Sequence, residues 1–84
     1  MKIKDVNLPG IPGLLILNAI NKLGVQSTGL ALIAYTDMQE GGVYNLLSRL
    51  RKHGFVTSTR GANTLYELTP LGRKVLNYVS AELS

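Results

Sequence analysis

The chain has 84 residues, 45% of them hydrophobic and 17% charged, enough for one domain with a modest core and too short for two. It has no cysteine, no apolar run long enough to cross a bilayer and no signal-peptide pattern in Met1 to Asp5, which excludes a disulfide framework and a thiolate metal site and fits a cytoplasmic, non-membrane protein. The net charge is +4, with Arg49, Arg51, Lys52 and Arg60 close together and no acid between Glu40 and Glu67, so a polyanion partner competes with a merely solvated basic face.

Residues 1–11 read as an arm, because Pro9, Gly10, Pro12 and Gly13 oppose a regular start; the folded domain is expected over 12–84. Pro12 suits the first turn of a helix, where its missing N–H is not needed. Leu14, Leu15, Leu17, Ile20 and Leu23 then predict a largely buried helix, stopped by Gly24, with Val25 folding back onto Ile20. Ser27 or Thr28 is placed to cap a second helix through Leu30, Leu32, Ile33 and about Tyr35. That helix is short and nearly all apolar, so its neighbours are expected to cover it, although its β-branched and aromatic content leaves a strand reading open.

A third helix over 38–53 carries the clearest signals. Asp37 and Glu40 have the spacing of a capping box, and Val43, Leu46, Leu47 and Leu50 make one apolar stripe. Gly54 ends the helix, with Phe55 set to pack back on Leu50. Phe55 to Thr59 and Thr64 to Leu68 follow strand patterns around a polar turn, Arg60 to Asn63, and predict a β-hairpin. Thr69 and Pro70 start a last helix, in which Leu71, Val75, Tyr78 and Val79 share a face and Leu76 and Leu83 lie to one side.

The order is three helices, a hairpin and a C-terminal helix. It predicts an α+β, mainly α architecture, a helix-turn-helix with a hairpin wing. A helix that enters a DNA major groove, about 12 Å wide, needs one apolar face as anchor and one polar face for bases and phosphates. The third helix has both. Gln39, Asn45 and Ser48 suit base edges, and Arg49, Arg51 and Lys52 suit phosphates or, for Arg, guanine.

Gly41 and Gly42 are unusual in a first helical turn, where each costs about 0.5–1 kcal/mol relative to Ala. Either they let the helix end come close to a phosphate or they pack against the second helix. Tyr44 either meets the DNA backbone or, the favoured reading, packs its ring at the core edge. Ser58, Thr59, Arg60 and Asn63 at the hairpin tip suit a flanking backbone or minor groove, Arg60 above all. His53 reads as a helix-end residue; with no cysteine and no second histidine there is no basis for a metal site. Asp37 and Glu40 are absorbed by capping, and no catalytic constellation or phosphate loop is present, so no enzyme and no cofactor are expected.

The segment Gly42 to Val56 resembles the recognition helix of PadR-like and MarR-like transcriptional regulators. Those families carry a Tyr, a Leu-Leu pair, a further Leu, then Gly and two apolar residues; here these are Tyr44, Leu46, Leu47, Leu50, Gly54, Phe55 and Val56. Tyr66 to Gly72 resembles their Tyr-x-Leu-Thr-x-x-Gly pattern, from the second wing strand into the next helix. The resemblance covers roughly residues 14–79 and implies a winged helix that binds DNA. PadR-like proteins usually have a longer C-terminal helical region for dimerisation. MarR-like proteins are longer at both ends and often bind a ligand. This chain is therefore expected to be a minimal regulator, of the kind found in phages, archaeal viruses and plasmids, with no small-molecule ligand.

The expected function is sequence-specific binding of double-stranded DNA by a homodimeric transcriptional regulator. Its contacts are expected from Gln39, Gly42, Tyr44, Asn45, Ser48, Arg49, Arg51, Lys52, Ser58, Arg60 and Asn63. Leu76, Val79 and Leu83, joined by the apolar arm Ile3, Val6, Leu8 and Ile11, are the expected dimer surface. A protein-docking module and an RNA or replication-associated binder remain the alternatives, because fold does not fix function.

Overall fold

The computed structural model describes residues 2–3, 6–7, 10–59 and 64–83, without the side chains of residues 2–3, 6–7 and 80–83. The arm is not irregular throughout. Lys2–Ile3 (β1) and Val6–Asn7 (β2) pair antiparallel.

Helix α1 spans Ile11–Leu23, with its proline in the first turn. Gly24 ends it at a positive φ and opens a short 3₁₀ turn, Gly24–Gln26. This turn points Val25 outward, 86% exposed, so it does not fold back onto Ile20 as expected. Buried Ser27 then ties the turn to α1, its hydroxyl shared between the carbonyls of Ile20 (3.2 Å) and Gly24 (2.8 Å).

Helix α2 runs Gly29–Thr36, and Thr28 caps it by accepting from the Ala31 amide. It is not well covered. Leu32 is buried, but Leu30 is 72% and Tyr35 50% exposed, because so short a helix turns one narrow face to α1 and α3. Asp37 does not cap the third helix. It stands in the left-handed region (φ +56°) and its amide closes α2 on Ile33. Met38 and Gln39 follow without regular structure, so α3 starts at Glu40 and ends at Lys52, with Gln39 in the cap position and no side-chain bond there. The capping box is therefore absent: Asp37 is used to end α2.

Gly54 (φ +83°) stops α3. Its amide bonds to Arg51 and that of Phe55 to Leu50, so the chain reverses and buries Phe55 beside Leu50. Strands β3 (Val56–Thr59) and β4 (Leu65–Leu68) form the antiparallel hairpin, with Val56 opposite Leu68 and Thr59 opposite Leu65. The segment before α2 joins them: Thr28 bridges Leu65, and the Tyr66 amide donates to the Ser27 carbonyl at 2.9 Å. The predicted turn, residues 60–63, lies outside the described residues.

Helix α4 spans Pro70–Leu83, and Thr69 caps it by accepting from the Gly72 amide. Val75 is buried, but Tyr78 is 38% exposed and does not share its buried face; Leu76, expected to one side, packs partly on the core. One core holds the domain together: Ile16, Leu17 and Ile20 from α1, Leu32 from α2, Val43, Leu47 and Leu50 from α3, then Phe55, Val56 and Val75. Each such side chain contributes about 1.5–3 kcal/mol by its removal from water. Helices α1, α2 and α3 touch one another pairwise, and that packing sets how α3 is presented.

Candidate nucleic-acid interface

The amphipathic pattern of α3 divides it into two surfaces. Val43, Leu47 and Leu50 are buried, at 4% exposure or less, and Leu46 is half-buried. Gly41, Asn45, Ser48 and Lys52, at i, i+4, i+7 and i+11, line the opposite face, with Arg49 beside them, and all five are exposed. Gly41 belongs to this face as squarely as Asn45, and helical periodicity alone was enough to place it there. Glu40 is the sole acidic side chain on the helix, and it sits in the first turn.

The structure removes one of the two explanations for the glycine pair. A Cβ built at Gly41 or Gly42 meets nothing within 4 Å, so neither residue is there to pack against α2. Neither has a positive φ. The fold needs no glycine at either position.

Tyr44 lies at one edge of the outer face. It is 40% exposed, and its ring rests against Gly29 at the start of α2, which meets half of the expectation that it packs at the core edge. Arg51 occupies the same edge further along. Its guanidinium donates to Ser58 Oγ at 3.2 Å, so two residues expected to touch DNA independently are joined, helix end to wing strand. Ser58 is half-buried, whereas Gln39 is exposed just ahead of the helix. Arg60 and Asn63 lie outside the described residues. Leu76 and Val79 are half-buried, and the side chain of Leu83 is among those not described.

Behind this surface, the end of α3 is tied to the start of α4. The Phe55 carbonyl accepts from the Thr69 amide at 3.1 Å, and the Thr69 hydroxyl donates to the Gly54 carbonyl at 2.5 Å. Gly72 lies directly on Phe55, where a Cβ would overlap the carbonyl oxygen and stand 3.0 Å from its carbon. The Thr and Gly of the Tyr-x-Leu-Thr-x-x-Gly pattern are the residues this joint needs.

An exposed polar helix set on a helix-turn-helix, with a hairpin immediately after it, defines the winged-helix class of transcriptional regulators. Residues 14–78 match the family model for the transcriptional regulator PadR-like family, and the chain belongs to that family. None of the curated protein sequences matches it.

Solved structures share the fold. One is a putative transcriptional regulator from Pseudomonas aeruginosa, 28% identical, with a TM-score of 0.76 over 83% of this chain and 49% of its own. Another is the PcaV regulator from Streptomyces coelicolor, solved with its natural ligand: 18% identity, TM-score 0.83, 93% of this chain and 57% of its own. BpsR from Bordetella bronchiseptica, whose DNA binding is described as regulated by 6-hydroxynicotinic acid, is 17% identical, with a TM-score of 0.80 over 88% of this chain and 61% of its own. The chain thus spans less than two thirds of the length of each of these structures.

Proposed function

We propose that the protein binds double-stranded DNA in a sequence-specific manner, with α3 in the major groove and the β3–β4 hairpin along the flanking backbone. The observation that carries this reading is the outer face of α3: exposed from Gly41 to Lys52, polar or bare, free of acids, and rigidly backed by three buried residues. Asn45 and Ser48 are the candidate base readers, and Arg49 and Lys52 the candidate phosphate partners. The sequence from Gly41 to Tyr66 has no acid, which disfavours a docking role on a basic partner. Selection of duplexes from a random pool with the purified protein tests the proposal. Recovery of one recurrent motif supports it, and retention of all duplexes alike, or of none, refutes it.

The protein acts as a homodimer in this reading, because doubled contacts read a two-fold site. Helices α1 and α4 pack together, and their outer surfaces carry exposed Ile11 and Leu15 on α1 and Tyr78 on α4, alongside half-buried Leu76 and Val79. These two helices support a partner surface better than α4 alone.

One observation favours a second element, control by a small molecule, against the expectation of no ligand. A groove of about 420 Å³ lies between the end of α1, β4 and the start of α4, lined by Ile20, Asn21, Val25, Tyr66, Leu68 and Arg73 among others. Two of the structural neighbours are described with small-molecule ligands. A screen of small aromatic acids for thermal stabilisation tests this; the absence of any shift would refute it, and a shift unchanged by Arg73→Ala would show that Arg73 does not hold the acid.

A further inference from the structure

We infer that Gly29 is the socket that holds Tyr44 ready as a DNA contact, a positioning role that rests on the placement of α3 proposed above. Gly29 opens α2 and is buried. A Cβ built there would stand 2.5 Å from the Tyr44 hydroxyl oxygen, 2.7 Å from Cε1 and 2.9 Å from Cζ. No side chain at position 29 coexists with the ring in this place. The backbone does not itself ask for glycine, because the positive-φ glycines are Gly24 and Gly54. Glycine is also among the poorest helix formers. What the position requires is space, and the group that uses the space is the Tyr44 ring.

The ring is backed by α2 on one side and open on the other, 40% exposed at the edge of the face that carries Asn45 and Ser48. An aromatic side chain has two rotatable bonds, and the Gly29 backbone against the ring restricts them before any ligand arrives. A contact that is already ordered loses less entropy on binding, which is why rigid aromatic groups are effective anchors. Gly29 therefore acts on DNA through Tyr44, without touching DNA itself.

The test is a double-mutant cycle over wild type, Gly29→Ala, Tyr44→Ala and the double variant, read by fluorescence anisotropy on the selected duplex and by thermal melting. Alanine at 29 should weaken binding about tenfold, or about 1.4 kcal/mol, while Tyr44 is present. It should change binding by less than about twofold once Tyr44 is gone, since the socket is then empty. Tyr44→Phe keeps the ring and should keep the dependence on Gly29. If Gly29→Ala alone unfolds, its defect in melting should vanish in the Tyr44→Ala background, where the clash is absent. Equal losses in both backgrounds would overturn the inference, because Gly29 would then act through α2 alone. So would a folded Gly29→Ala protein that binds like wild type. A wild-type protein that binds no duplex removes the groove reading instead, and the inference with it.

Discussion

Replacing Gly41 and Gly42 together with alanine should move stability and DNA binding in opposite directions. Both glycines sit in the first turn of α3 at helical φ, and a Cβ at either meets nothing within 4 Å. Alanine therefore adds no clash within the protein and restricts the unfolded chain. Glycine costs about 0.5–1 kcal/mol relative to Ala inside a helix; at the helix start the lower figure applies, so the pair should gain about 1 kcal/mol. In a domain of this size that raises Tm by about 4–8 °C. On the DNA side, Gly41 lies in line with Asn45, Ser48 and Lys52 on the exposed face. If the bare backbone rests against the groove, two methyl groups must push α3 outward and lengthen every contact beyond them. A loss of about tenfold in affinity, about 1.4 kcal/mol, is the least expected for such a displacement. Calorimetry gives the first quantity and a mobility-shift titration the second. A higher Tm with unchanged affinity would refute the close approach. A lower Tm would refute the claim that the fold leaves these positions open.

Other substitutions separate anchor from contact. Leu47, 2% exposed and central to the stripe, should lose about 2–5 kcal/mol of stability as alanine, measured by urea denaturation. Asn45→Ala and Arg49→Ala should each cost about 1–3 kcal/mol on the selected duplex and leave melting unchanged, since both side chains are exposed; wild-type affinity in both would mean that α3 does not read bases. Gly72→Ala should destabilise by about 1–3 kcal/mol because its Cβ would overlap the Phe55 carbonyl oxygen, and a neutral result in denaturation would show that the α3–α4 joint yields easily. Leu15→Glu with Tyr78→Glu should give a folded monomer in sedimentation, and a double variant that still dimerises would place the partner surface elsewhere.

The existence and order of the helices and hairpin were legible because their signals are local: an apolar stripe at helical spacing, a glycine after Lys52 and His53, a Thr-Pro start. Where local signals competed, the reading failed. Asp37 has the side chain of a helix cap and the spacing to Glu40, but an Asp also tolerates the left-handed conformation, and closing α2 on Ile33 took precedence. Val25 looked like the apolar residue of a helix stop, yet the 3₁₀ turn after Gly24 rotates it into solvent. The bridge between Thr28 and Leu65 has no sequence signal at all, since it pairs two segments far apart in the chain. The outer face of α3 was visible as a pattern of residue types. Its internal ties, Tyr44 on Gly29 and Arg51 on Ser58, depend on how α2 and β3 pack and were not visible.

The joint between α3 and α4 bears on how a dimer would read DNA. Four residues make it: Gly54 and Phe55 after α3, Thr69 and Gly72 at α4. Thr69 serves both helices, since its hydroxyl accepts from the Gly72 amide and donates to the Gly54 carbonyl. One bond is backbone to backbone, one runs from the short Thr69 side chain to a carbonyl and one is a helix cap, so the start of α4 is tied directly to the end of α3. If two protomers meet along α1 and α4, the spacing of their two α3 helices follows from the packing of that interface. Half-sites one helical turn apart, about 34 Å and about 10 base pairs, require the interface to hold both α3 helices at that separation. A change at the α1–α4 surface would then alter the preferred half-site spacing and leave the preferred bases alone. A change on the outer face of α3 would do the reverse. In such a dimer the joint would let one small domain keep the reading of bases separate from the measuring of distance between half-sites.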